Sequence, residues 1–231
     1  MMPSLSKGDN WPAMMQFAHS VVCQFVMSSL RMIDRMASRG YNAAHIYPEI
    51  PKHLISVPSE IMSDTQKNLV SKNTEYAAAF TKGHLALPPA KKYLVLTCMD
   101  ARIDPAAAYG IDLGDAHVVR NAGANAKDAL RSIVISQQLL GTNEIILVKH
   151  TGCGMLTFDN DVATGLVEQN LGAEAKEALS TFGVDFKTFP RLEDAVRDDV
   201  KLLKETPLIK DEVAVSGWVY EVETGKVRQV V

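Results

Sequence analysis

HVVRNAGANAKDALRSIVISQQLLGTNEIILVKH, residues 117–150, is the stretch that decides the fold. Its last part, EIILVK at 144–149, is a short and nearly continuous apolar run, as expected of a parallel strand covered on both faces. Its first part, HVVR at 117–120, is a shorter run of the same kind. Between them Ala129, Leu130, Ile133, Val134 and Leu140 recur at helical spacing over 126–140, and Gly141 follows as a stop signal. The pattern predicts a βαβ unit, because parallel strands need a crossover of about this length.

Working outward, YLVLTC at 93–98 predicts another buried strand. Asp104-Pro105 reads as the N-cap and first residue of a short helix that ends near Gly110. Downstream, 161–181 predicts a helix and 184–189 a strand. Residues 190–204 predict a helix opened by Pro190, with Leu192, Val196, Val200 and Leu203 on one side. A last strand at 213–222 runs into a turn at Thr224-Gly225 and a terminal segment 226–231. The fold class is therefore α/β, an open, mostly parallel sheet flanked by helices, without internal repeats or low-complexity tracts.

Two hundred and thirty-one residues suit one large domain, or one domain with an appendage. With 47% hydrophobic and 22% charged residues the chain can bury a sizeable core. A formal charge of −3, without a Lys/Arg block, argues against nucleic acid as a partner. No stretch reaches about 18 apolar residues, so no membrane span is expected.

Residues 1–62 differ from the rest and hold eight of the ten methionines. They are Arg-biased and acid-poor, and 14–39 can form an amphipathic helix, so a transit peptide is one reading. Met62-Ser63-Asp64-Thr65 looks like a natural start, which makes an upstream extension a second reading and a helical arm on a partner subunit a third. The expected division is 1–62 as an N-terminal extension and 63–231 as the main domain, which carries the candidate site residues. Cys23, Cys98 and Cys153 are too few and scattered for a disulfide framework and point to a reducing compartment. Cytoplasmic localisation is expected, with the mitochondrion as the alternative if 1–62 is a transit peptide.

In open α/β sheets the ligand site lies beyond the carboxyl ends of the strands. One strand ends in Cys98-Met99-Asp100-Ala101-Arg102 and another in His150-Thr151-Gly152-Cys153-Gly154. Adjacent parallel strands would bring Cys98, His150 and Cys153 together, a donor set that suits tetrahedral zinc. Three protein ligands leave one position open, where a bound water becomes hydroxide near neutral pH. Asp100 and Arg102 can pair as carboxylate and guanidinium beside the metal, which keeps Asp100 ionised and oriented, or Asp100 can swing onto the metal itself. A different class of reading remains open: a thiol or redox enzyme with Cys98 as nucleophile and Cys153 as resolving partner. A purely structural zinc module is another.

The motifs CMDAR (98–102), HVVRNAGA (117–124) and HTGCGM (150–155), in this order on an α/β pattern, resemble the β-class carbonic anhydrases. The resemblance covers roughly 64–231, including GWVYEVETGKV at 217–227, and residues 1–62 do not align to the family motifs. It implies Cys98, His150 and Cys153 as zinc ligands and Asp100 with Arg102 as a gatekeeping dyad, the aspartate being a fourth ligand in closed forms. It implies reversible hydration of carbon dioxide to bicarbonate. The spacing resembles the small-form subset, which also contains hydrolases of carbonyl sulfide or carbon disulfide. It further implies a homodimer or a multiple of dimers.

Gly123, Gly152 and Gly154 permit close backbone approach, and N–H groups there can hold an oxyanion, so Gly123 and Gly154 are candidate substrate-binding residues; ordinary turns are the alternative. Asp104 and Arg120 read as structural. His19, His45, His53, His84 and His117 have no partner in the sequence pattern that would give any of them a catalytic place.

Overall fold

The computed structural model describes residues 62–231, so the readings of 1–61, including the helix over 14–39 and Cys23, lie outside the described residues. The described residues fall into two units, 62–79 and Phe80–Val231, each taken by itself. The first is helix α1, Asp64–Ala78, opened by a capping box in which Ser63 and Gln66 satisfy each other's backbone N–H.

In the second unit β1 (Tyr93–Cys98), β2 (Ala116–Asn121), β3 (Glu144–His150), β4 (Ala214–Tyr220) and β5 (Val227–Gln229) form one sheet in the order β2-β1-β3-β4-β5. The first four strands are parallel, and β5 returns antiparallel to β4 at the edge. The helices are α2 (Pro105–Tyr109), α3 (Ala126–Gln138), α4 (Asn160–Leu171), α5 (Ala173–Thr181) and α6 (Leu192–Glu205).

One sheet face carries Leu94, Leu96, Ile145, Leu147, Val215 and Val219 into a core shared with Ala129 and Ile133 of α3 and Val196, Val200 and Leu203 of α6. The opposite face carries Val95 and Val148 into a second cluster with Ile103, Ile111, Met155 and Tyr220, which also holds Cys98 and Cys153. Burial on both faces is why β1 reads as an unbroken apolar run. Helix α6 approaches β4 closely at Gly217, where a Cβ would stand 2.5 Å from Val196 Cγ1 and 2.9 Å from Val200 Cγ2.

Two expectations need correction. Residues 184–189 form no strand: Lys187 adopts φ 54° and Asp185 accepts from Asn160 Nδ2 and from the Lys187 N–H, a local hydrogen-bonded loop instead of a ladder. The helix expected over 161–181 is two helices, because Gly172 at φ 94° and ψ 172° breaks it. The cap reading of Asp104 holds, since its carboxylate accepts from Ala106 N and Ala107 N while Gly110 closes α2 at φ 66°.

Candidate metal centre

β1 and β3 are hydrogen-bonded neighbours, and each ends on a residue of the centre, Cys98 and His150. Cys153 stands just before the 3-10 turn Gly154–Leu156. Cys98, His150 and Cys153 are buried, and their ligating atoms lie within 4.8 Å of one another. This is the strand-end convergence read from the sequence.

The state of His150 tests whether these residues suit a metal. Its Nδ1 lies 2.9 Å from the Thr151 carbonyl oxygen, which can only accept, so Nδ1 carries the proton and Nε2 the lone pair. Nε2 is fully buried and has no hydrogen-bond partner among the described residues. An unpaired buried acceptor of this kind costs about 1–3 kcal/mol, and a cation beside two sulfurs would satisfy it. Thr151 is held in turn: its N donates to Tyr220 O, and its hydroxyl accepts from Val222 N (3.0 Å) and donates to Glu223 Oε2 (2.7 Å). The donor set therefore fits a metal ion, and the fixed imidazole tautomer is the one a ligand needs.

The Cys153 S–H bonds the Cys98 sulfur, which pulls Cys98 far down toward the thiolate and pushes Cys153 up. Burial opposes ionisation of both, while the backbone N–H groups of Asp100 and Gly123 face the Cys98 sulfur and that of Met155 faces the Cys153 sulfur, favouring negative charge there. Burial pulls the His150 pKa down, and the neighbouring Cys98 sulfur more than offsets this, for a net upward shift. A metal cation would displace these protons.

Asp100 and Arg102 form the expected pair. Oδ1 accepts from Arg102 N and Nε, both at 2.9 Å, and Oδ2 accepts from Nη2 at 2.7 Å. The Arg102 side-chain and backbone donors hold the Asp100 carboxyl well below the usual carboxylate range. Arg102 Nη2 also donates to Gly152 O at 3.0 Å, tying the dyad to the other ligand loop. Asp100 Oδ2 lies 3.7 Å from His150 Nε2, at the edge of the centre but engaged with Arg102. Arg120, read as structural from the sequence, donates from Nε to Cys98 O (2.9 Å) and from Nη2 to Asp100 O (2.7 Å), fixing the loop that carries ligand and dyad.

Gly123 adopts φ 70°, and a Cβ there would stand 2.8 Å from Met155 Cγ, so packing alone requires glycine. Gly154 has open space where a Cβ would be. His117 is engaged elsewhere: it pairs with Leu94 near the opposite end of β2, with Nδ1 2.7 Å from Ser136 Oγ. His84 Nδ1 lies 3.1 Å from Thr81 O on the surface.

A family model described as carbonic anhydrase matches residues 93–227. Beta-carbonic anhydrase 1 of Mycobacterium tuberculosis is 38% identical over 162 residues, spanning 70% of this chain and 94% of that protein. The chain belongs to the β-carbonic anhydrase family. It is thus an enzyme of that family, and two kinds of relative bear on its chemistry. The solved carbonic anhydrase from Glaciozyma antarctica has 47% identity and a TM-score of 0.70, covering 74% of this chain and 100% of that one. Carbon disulfide hydrolase of Acidithiobacillus thiooxidans is 34% identical over 158 residues, 62% of this chain and 79% of that protein. Among the described residues no helix is long and apolar enough to cross a membrane.

Proposed function

We propose that the chain is a zinc enzyme that hydrates carbon dioxide reversibly to bicarbonate and a proton, with Cys98, His150 and Cys153 holding the metal. The observation that carries this reading is the orphaned, buried Nε2 of His150 beside two cysteine sulfurs, with the Arg-paired carboxylate of Asp100 3.7 Å away. Zinc bound there would supply the Lewis acidity that makes water a nucleophile near neutral pH. The protein supplies the rest. The Thr151 carbonyl keeps the Nδ1 proton on His150 and so keeps the Nε2 lone pair free for ligation. Asp100, held ionised by Arg102, only accepts hydrogen bonds; it orients an O–H at the open side of the centre and so turns that oxygen's lone pair toward the substrate carbon. Arg102, anchored on Gly152 O, keeps that carboxylate off the metal position. Gly154, with open space where a Cβ would stand, leaves room for close backbone approach of the substrate.

Hydrolysis of carbon disulfide or carbonyl sulfide is the second reading, favoured by the carbon disulfide hydrolases among the relatives. Side-by-side measurement of carbon dioxide hydration and of hydrogen sulfide release from both sulfur substrates, on one zinc-loaded preparation, decides between them. Faster turnover of carbon dioxide by orders of magnitude supports the first reading, and the reverse order overturns it. The same proposal includes self-association as a homodimer or a multiple of dimers, and a cytoplasmic enzyme whose residues 1–62 lie outside the chemistry, with mitochondrial import as the alternative.

A further inference from the structure

Lys149 interrupts the apolar run of β3 and is 1% exposed. A buried ammonium needs partners, and this one has three. Its Nζ donates to Gly123 O at 2.8 Å and Ala124 O at 3.2 Å, and pairs with Asp199 Oδ2 of α6 at 2.8 Å. It also lies 4.8 Å from the centre of the Phe189 ring. Asp199 Oδ2 in turn accepts from Ala126 N, at the start of α3.

The two carbonyls belong to the 3-10 turn Ala122–Ala124, whose backbone is strained: Gly123 at φ 70° is followed by Ala124 at φ 52°, a conformation that residues with a Cβ disfavour. The turn borders the metal centre from two directions. Asn121, just before it, pairs with Cys98 in the sheet and accepts from Met99 N at 3.0 Å. Gly123 packs on Met155, two residues beyond Cys153. Lys149 is next to His150 on β3, so their side chains leave opposite faces of the strand.

We propose that Lys149, with Asp199 as its counter-ion, is a positioning residue for the metal centre: by holding the carbonyls of Gly123 and Ala124 it fixes the turn that follows Asn121, the sheet partner of Cys98, and that packs on Met155 beyond Cys153. The inference rests on the zinc reading above. Groups that support the ligating residues orient them, and losing such a partner typically weakens metal affinity about 10- to 100-fold.

The test uses the full chain and two readouts: zinc affinity by chelator competition, and the thiolate-to-metal charge-transfer band of the cobalt-loaded protein. Lys149→Met combined with Asp199→Asn removes both buried charges together and keeps an acceptor for Ala126 N. It is expected to bind zinc about 10-fold more weakly or worse, with the band displaced from its wild-type position because the turn beside Cys98 and Met155 is no longer held. Ile145→Ala, a cavity near the other end of β3, controls for general loosening and is expected to leave both readouts at wild-type values. A folded double variant with wild-type affinity and band overturns the proposal, as does an Ile145→Ala protein that shifts both equally. If the double variant does not fold, Asp199→Asn alone decides: a displaced band supports the clamp, and unchanged affinity and band overturn it. A wild-type chain that binds no zinc at all overturns the zinc reading and this inference together, whereas tight wild-type binding with an unaffected variant overturns this inference only.

Discussion

Asp100→Asn separates the chemistry of the dyad from its contribution to the fold. Asn keeps the shape and one oxygen. If that oxygen takes the Oδ1 place, which accepts from Arg102 N and Nε, the new NH2 replaces Oδ2 and faces the Arg102 Nη2 donor at 2.7 Å. The atom 3.7 Å from His150 Nε2 then changes from acceptor to donor and orients an O–H in the wrong sense. A positioned acid–base group contributes about 10²- to 10⁴-fold, so turnover should fall by about 10²-fold or more. Stability should hardly change: the Arg102 side chain is 54% exposed, and pairs so open to solvent contribute little, so Tm should move by no more than about 3 °C. Zinc content should stay at the wild-type level because Asp100 is engaged with Arg102 instead of the metal. The pH profile adds a check. Arg102 depresses the Asp100 pKa, so the stabilisation from this group is fully present above about pH 3.9 and is lost only as pH falls through its lower folded value. Between about pH 6 and 9 the carboxylate is ionised throughout, and the expected rise of activity through roughly pH 7–8.5 comes from the metal centre. Stopped-flow hydration with a pH indicator, zinc analysis and thermal melting together provide the assay. An Asn variant that matches the wild type at every pH refutes the role given to Asp100, and one that loses zinc along with activity shows the residue to be a ligand.

Replacing Cys98, His150 or Cys153 singly with Ala should strip zinc and abolish turnover, as measured by metal analysis and hydration rate; a fully loaded and active variant at any of the three contradicts the centre. Gly217→Ala forces a methyl group against Val196 and Val200, two branched side chains with little room to turn, and should cost about 1–3 kcal/mol in urea denaturation without changing the metal centre. Its midpoint in urea should fall, and an unchanged midpoint contradicts the close approach of α6 to β4. A chain of residues 62–231 should retain zinc and turnover, because none of the candidate site residues precedes Cys98; a folded, zinc-loaded but inactive fragment would show that 1–61 contribute to the site. Sedimentation at micromolar concentration should give a dimer or larger, and a fully active monomer contradicts the expected assembly.

The strands that carry the centre were the most legible part of the sequence. β1 and β3 are buried on both faces, so their apolar runs leave little room for another reading, and the ligands stand at or just beyond their ends. Caps were legible for the same local reason: Asp104 with Pro105 defines a helix start within a few residues. The apolar residues of 184–189 misled because composition resembles a strand, while the side chain of Asp185 and the positive φ of Lys187 set a loop that periodicity does not reveal. Gly172 falls inside the one helix expected over 161–181, and only its backbone angles show the break. Near the site, Arg120 was read as structural without its partners, and Lys149 was not singled out, because the groups they hold lie 20 or more residues away. A lysine inside EIILVKH was the available signal, since a charge in a buried strand needs a partner.

Titration of zinc into the metal-free chain, followed by the rate of carbon dioxide hydration at about pH 8.5, tests the central claim most directly. The account predicts a rate that climbs linearly to one zinc per chain, levels there, and stays at the buffer rate in the His150→Ala protein. A folded chain that takes up one zinc through Cys98, His150 and Cys153 yet hydrates carbon dioxide no faster than buffer would contradict it.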